Sequence, residues 1–242
     1  MTFLKLLYRK LNVRKHLRKR GIELTRYDNP VDLQRLYVKN AEPLIFDVGA
    51  HSGNVTSQYL EAFPKAQIHA FEPCTAAFER LKNRYANDSR VRALQMAVCN
   101  RDGEIEIMSN TSPVTNSILK SDIQGSEYWG ENLLETQSRI LVPATTLDAY
   151  CRKEGIEHID ILKLDIQGAE YQALEGAADL LARRAVSLLF FEIITCPTYQ
   201  NQRTAGDYFN LLEKWGYQFI DFCDPARRQG RLAQADFIFI KR

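Results

Sequence analysis

From residue 41 onward, strand-like runs alternate with helical ones, and no other feature constrains the fold as tightly. "LIFDV", "QIHAFE" and "VRALQMAV" are separated by helical patterns near 55–63 and 75–85. Further on, "IDILKLD" and "VSLLFFEI" flank the helical "AEYQALEGAADLLARR". Repeated strand–helix units predict a doubly wound α/β fold, a parallel sheet with helices on both faces. The ending departs from this rhythm. A helix, "AGDYFNLLEKWG", stops at Gly216, and "YQFIDF" and "ADFIFIK" follow about ten residues apart with a turn-rich link between them. A parallel crossover needs a dozen or more residues, usually helical, so the last strand is expected to run antiparallel. Residues 100–143 read as irregular, with a hairpin-like "GEIEIMSN" and a polar "NTSPVTNS". "TTLDAYCRKEG" reads as a helix capped by Thr145 or Thr146. We expect one domain, 41–242, preceded by a basic helical appendage, 1–40.

The first strand run stops at a turn, "DVGAHSG". Asp47 falls at the carboxyl end of that strand, where open α/β sheets bind ligands. Gly49 and Gly53 allow a tight turn and a close backbone approach to a ligand. Taken alone, this is a glycine turn like many others. Glu72, 25 residues past Asp47, ends the next strand, and an acid there can accept both hydroxyls of a ribose. Pro73 stops that strand and re-aims the chain. Turn and acid together point to a nucleoside cofactor. Dinucleotide sites usually read G-x-G-x-x-G, to lay a pyrophosphate on a helix start. Here the spacing is D-x-G-x-x-x-G, and an acid ahead of the first glycine suits a ligand with an amino group or a sulfonium. S-adenosylmethionine has both, and a ribose.

Composition narrows the partners. The net charge is +2, but residues 1–28 carry nine Lys/Arg against Glu23 and Asp28. Leu4, Leu7 and Leu11 give that segment a helical stripe. We read it first as a solvated helix packed on the domain, next as a surface for anionic lipid or a partner, and last as a nucleic-acid contact. No apolar run approaches the ~20 residues of a membrane helix. The longest uncharged apolar piece near the start, 6–8, is too short for a signal peptide. Five widely spaced cysteines, without a CxxC pair, predict neither a disulfide framework nor a zinc site, and no metal is expected. His69 and His158 have no partner at metal-ligand spacing and read as core and surface residues. A reducing cytoplasm fits, with peripheral membrane contact through residues 1–28 as an accompanying expectation.

The chain resembles the FkbM family of S-adenosylmethionine-dependent methyltransferases. The resemblance rests on "IFDVGAHSGNVT", "IHAFEPCTAAFERL", "MAVCNRDGEIEI", "TNSIL", "TTLDAYC", "IDILKLDIQGAEYQALEGA" and "LLFFEI". The first of these in combination with "LKLDIQGAE" is the specific element. The tail "DPARRQGRLAQADFIFIKR" is similar to members found with polysaccharide and glycoconjugate biosynthesis. The resemblance implies a Rossmann-like seven-strand sheet of order 3-2-1-4-5-7-6. It also implies O-methylation, often of a sugar or polyketide hydroxyl. It puts Asp47, Gly49 and Gly53 beside the methionine part of the cofactor and Glu72 on the ribose, with the backbone of Ala97 and Val98 beside the adenine. His51, also assigned to the cofactor turn, stands where Asn is commoner in the family. Gln167 replaces a frequent Glu.

Methyl transfer to an alcohol needs alignment and removal of a proton. Asp165 and Glu192 each end a strand on the same sheet edge and are the candidate bases, though Asp165 can equally serve to orient the substrate or the methionine amino group. Lys163, two residues before Asp165, reads either as an ion-pair partner under the site or as a catalytic amine. Glu170, at a helix start, reads as structural. Ser117 and Tyr199, in loops expected to close over the crevice, are the candidate substrate contacts. "EYWGENLLE" reads as a lid whose aromatic rings face sugar or pack inward. The expected partner is a small-molecule or glycoconjugate hydroxyl acceptor. An NAD-dependent oxidoreductase and a non-catalytic cofactor-binding scaffold are the competing readings. The glycine spacing counts against the former, and intact Asp47, Glu72 and Asp165 count against the latter.

Overall fold

A computed structural model describes residues 29–130 and 132–242. The basic segment 1–28 lies outside the described residues. The chain enters through helix α1 (Pro30–Tyr37), followed by β1 (Leu44–Val48), α2 (Asn54–Ala62), β2 (Gln67–Phe71), α3 (Thr75–Arg84) and β3 (Val91–Leu94). Next come β4 (Ala97–Val98), β5 (Gly103–Asn110), the short helix α4 (Gly125–Trp129) and β6 (Thr136–Thr145). Helix α5 (Leu147–Glu154) leads to β7 (Ile159–Leu164), α6 (Glu170–Glu175), α7 (Ala178–Ala182) and β8 (Val186–Ile194). Helix α8 (Ala205–Lys214) and strands β9 (Tyr217–Arg228) and β10 (Arg231–Lys241) complete it.

Seven strands form one sheet in the order β3-β2-β1-β7-β8-β10-β9. Numbered within that sheet, this is 3-2-1-4-5-7-6, as expected. β1 pairs parallel with β2 and β7, and β7 pairs parallel with β8. β10 pairs antiparallel with both β8 and β9. One face of the sheet packs Phe46, Leu162 and Leu189 against Leu147, Leu174 and Leu212 from the helices α5, α6 and α8. The other packs Ile45, Ile161 and Phe190 against Tyr59 of α2 and Val31 and Leu33 of α1. Both faces are therefore covered, which is why β7 is buried at every position. Residues 30–38, assigned to the appendage by the sequence, thus supply side chains to the second layer. Asn29 caps α1 through its side chain, and Gln34 accepts a hydrogen bond from the Tyr59 hydroxyl at 3.0 Å.

Four expectations need correction. "VRALQMAV" is not one strand: the chain leaves the main sheet after Leu94, and Ala97–Val98 pairs with β6 in a second sheet of order β4-β6-β5. The region read as irregular supplies that sheet, with β5 antiparallel to β6. The helix after β7 breaks at Gly176, where a Cβ would lie 2.1 Å from the Cys99 carbonyl oxygen. The link between the last two strands is itself strand, joined by Gln229 and Gly230, whose φ values of +49° and +78° suit the twist of a tight hairpin.

Candidate active site

The site begins with a charge inside the sheet. Asp47 and Lys163 are register partners on β1 and β7, so their side chains share a face. Lys163 Nζ lies 2.9 Å from Asp47 Oδ1 and donates to the carbonyls of Gly49 and Val48 at 3.0 and 3.3 Å. Thr56 Oγ1 donates to Asp47 Oδ2 at 2.6 Å. Burial works against the Lys163 cation, but the carboxylates of Asp47 and Asp165 outweigh it and hold its pKa above the usual lysine range. The contact with Asp47 and the two carbonyl bonds give Lys163 the geometry of a buried ion-pair partner. Asp47 is completely buried, which differs from the expected contact with the methionine part of a cofactor.

The turn after β1 is stitched to the end of β2. Gly49 N and Ala50 N both donate to Phe71 O at 3.0 Å. Gly49 (φ +77°) is forced by a close approach, since a Cβ would lie 1.9 Å from the Asp165 carbonyl oxygen. At Gly53 (φ +82°) a Cβ would lie 2.5 Å from the Tyr85 ring. Both glycines thus make room for protein atoms that brace the turn. His51, at φ +49°, turns its backbone N–H to Glu72 Oε2 at 2.9 Å. Cys74 N donates to Glu72 Oε1 at 2.8 Å, on the far side of Pro73. Glu72 is 6% exposed. Burial raises its pKa, and the N–H bonds from Cys74 and His51 oppose the rise.

Each Glu72 oxygen keeps a lone pair beside its single N–H bond, which fits the two hydroxyls of a ribose. Ala97 and Val98 are buried in β4. As the outer strand of the second sheet, β4 pairs with β6 along one edge and leaves the other edge of its backbone unpaired by that sheet.

The carboxyl edge beyond Lys163 collects acids. Asp165 follows β7 with its side chain 46% exposed. Glu192 is buried near the end of β8, opposite Asp236 on β10. Burial, followed by the charges of Asp165, Glu170 and Asp236, pushes Glu192 well above the carboxylic range. Burial likewise lifts Asp236 to about 7 and Glu170 to about 8. Glu170 is an internal acceptor for Ile166 N at 2.8 Å, which suits its expected structural role. The sequence reading missed Asp236. Its signal was an acid at the head of the apolar run "FIFI", level with Glu192 across β8 and β10. Cys223 and Asp224 bring ligand atoms within 4.8 Å of it and of one another.

Gln167 joins the two candidate bases. Its Nε2 donates to Asp165 Oδ1 at 3.0 Å and to Glu192 Oε2 at 3.2 Å. Tyr199 OH reaches Gln167 Oε1 at 3.4 Å and donates to Thr115 O at 3.0 Å. Ser117 Oγ donates to Gln167 O at 2.7 Å and accepts from Leu119 N. Ser117 and Tyr199 are each 3% exposed, so they wall the site with their polar atoms already engaged. The segment read as a lid packs inward. Trp129 Nε1 donates to Thr198 Oγ1 at 2.7 Å, Arg228 donates to Tyr128 O, and both aromatic rings pack against the cluster of Leu134, Ile194 and Tyr199.

A seven-strand sheet of this order, with an acid closing its second strand and a carboxyl-lined edge at its centre, defines a Rossmann-like S-adenosylmethionine-dependent methyltransferase. A model of the methyltransferase FkbM domain matches residues 47–219, and the chain belongs to that family. It is 28% identical over 181 residues to the 2-O-methyltransferase NoeI of Sinorhizobium fredii, covering 72% of this chain and 73% of that protein. It is also 28% identical over 159 residues to the methyltransferase sdnD of Sordaria araneosa, covering 56% of this chain and 61% of that one. A crystal structure of an FkbM methyltransferase from Methylobacillus flagellatus superposes with a TM-score of 0.50 at 15% identity. That match spans 81% of this chain and 44% of the longer protein, and it speaks for the fold.

Proposed function

We propose that the chain moves a methyl group from S-adenosylmethionine to a hydroxyl of a sugar, glycoconjugate or related natural product. The observation that carries the reading is the half-exposed carboxyl of Asp165, which follows β7 next to β1 and lies beside buried Glu192 on β8. An alcohol needs a proton acceptor as its oxygen attacks, and an edge of this kind offers one. Similarity to an enzyme named for 2-O-methyl transfer supports the same direction.

When bound, the cofactor supplies a methyl group made electrophilic by its sulfonium. Glu72 accepts the two ribose hydroxyls. The turn of Gly49, His51 and Gly53, with Pro73 re-aiming the next loop, shapes the nucleoside end. The Asp47–Lys163 pair holds that turn from beneath. Ala97 and Val98 lie on the adenine side. Asp165 would take the acceptor's hydroxyl proton, and the cofactor, when bound, would supply the methyl group and keep the electron pair of its C–S bond. Glu192, whose pKa burial and its acidic neighbours raise, stands beside Asp165 and accepts the Gln167 amide. A pyrophosphate laid along this edge would meet the half-exposed carboxyl of Asp165, which disfavours a dinucleotide.

The test is incubation with methyl-labelled S-adenosylmethionine and a panel of free and lipid-linked saccharides, with products read by mass spectrometry. We expect label on oxygen, and Asp165→Asn to abolish transfer while cofactor affinity stays unchanged. Label on nitrogen or carbon, or full activity in Asp165→Asn, would overturn the proposal.

A further inference from the structure

Gln167 occupies a costly position. Its φ is +56°, a left-handed conformation that long side chains rarely adopt. The next residue, Gly168, is also left-handed at φ +87°, and a Cβ on it would lie 2.8 Å from the Tyr199 ring. This backbone turns the Gln167 side chain back over the sheet edge. Both hydrogens of its amide then find acceptors, Asp165 Oδ1 at 3.0 Å and Glu192 Oε2 at 3.2 Å. Its own oxygen faces Tyr199 OH at 3.4 Å, and its carbonyl is held by Ser117 Oγ at 2.7 Å. Through its side chain, Gln167 thus ties the turn after β7 to β8 and to the loop carrying Tyr199, and through its backbone carbonyl to the loop carrying Ser117.

We propose that Gln167 is a positioning residue for methyl transfer, its carboxamide clamping the Asp165 and Glu192 carboxyl groups side by side so that both address one acceptor hydroxyl. The inference rests on the hydroxyl-directed reading above for its consequence in catalysis, but the clamp itself rests on geometry. An amide suits the position because it offers two donors and adds no charge. A carboxylate in its place would add to Asp165 in the same turn, Glu170 on α6, Glu192 on β8 and Asp236 on β10, with Lys163 as the compensating cation among the described residues. Tyr199 and Tyr208, the remaining titratable groups against Glu192, add no positive charge.

The test compares Gln167→Leu and Gln167→Glu with the wild type in protein carrying carbon-13 at the glutamate carboxyls, the Glu192 signal being assigned with Glu192→Gln. Losing the donor in the first variant, or adding a like charge in the second, should raise the Glu192 titration midpoint by about one pH unit. S-adenosylhomocysteine affinity by calorimetry should stay at the wild-type value in both. With an acceptor from the saccharide panel, Gln167→Leu should lower kcat by ~10- to 100-fold and leave KM for S-adenosylmethionine unchanged. The near-isosteric Gln167→Glu covers the event that the leucine variant does not fold. An unmoved Glu192 titration in the folded variants, or an unchanged kcat, would overturn the clamp. Failure of the wild type to bind S-adenosylhomocysteine would instead strike at the methyltransferase reading, while the titration would still report on Gln167.

Discussion

Lys163 sits in a strand buried at every position, and its charge is answered by Asp47 at 2.9 Å. Removing one member of a buried pair leaves the other uncompensated, so Lys163→Met should destabilise the fold by about 3–5 kcal/mol in denaturant titrations. Adding Asp47→Asn should recover part of that loss, which a double-mutant cycle would read. Glu170 poses the opposite problem, a carboxyl buried with one oxygen unpartnered. Its pKa rises from 4.5 to about 8 on folding. The native state therefore holds this proton more tightly than the unfolded chain does. Its contribution is fully present below about pH 4.5 and is lost as pH rises through about 8. Glu170→Gln should then melt higher than wild type at pH 8.5, by on the order of a few kcal/mol at most, with the difference vanishing near pH 4.5. A constant difference across that range would contradict the assignment.

At the break between α6 and α7, Gly176 closely approaches the backbone of Cys99. Gly176→Ala would push a methyl into the Cys99 carbonyl at 2.1 Å, and both are backbone-bound. A loss of about 1–3 kcal/mol is expected, measured by thermal unfolding, whereas an unchanged melting temperature would mean that the two segments slide apart freely. A glycine within a helical pattern hides such a contact, because the Cys99 backbone lies far off in sequence. The main-sheet strands were readable for a physical reason: β1, β7 and β8 are buried on both faces and show as apolar runs. The second sheet was not, because β6 is exposed at most positions, with Leu141 at 61%, and so shows no burial pattern. The same applies to the outer half of the final hairpin, where β9 is largely exposed and its Gln-Gly turn lacks the commoner Asn-Gly or Asp-Gly signal.

Across the protein, the fold brings the pieces of the site to one edge from strands far apart in sequence. Asp47 and Glu72 were readable as strand-end acids in a βα rhythm, and the spacing of the glycine turn separated sulfonium from pyrophosphate. What the sequence left open was the division of labour. Asp47 is sealed beneath the turn by Lys163 and Thr56, while Glu72 accepts the backbone N–H groups of His51 and Cys74. Among the described residues no helix is long and apolar enough to cross a membrane. The role of the site is tested most directly by titration calorimetry of S-adenosylhomocysteine and NADH against the wild type and Glu72→Ala. The wild type should bind S-adenosylhomocysteine saturably and NADH not at all, and Glu72→Ala should weaken binding by roughly tenfold or more, the loss of a charged hydrogen-bonding partner. Binding of NADH alone, or undiminished S-adenosylhomocysteine binding in Glu72→Ala, would contradict it.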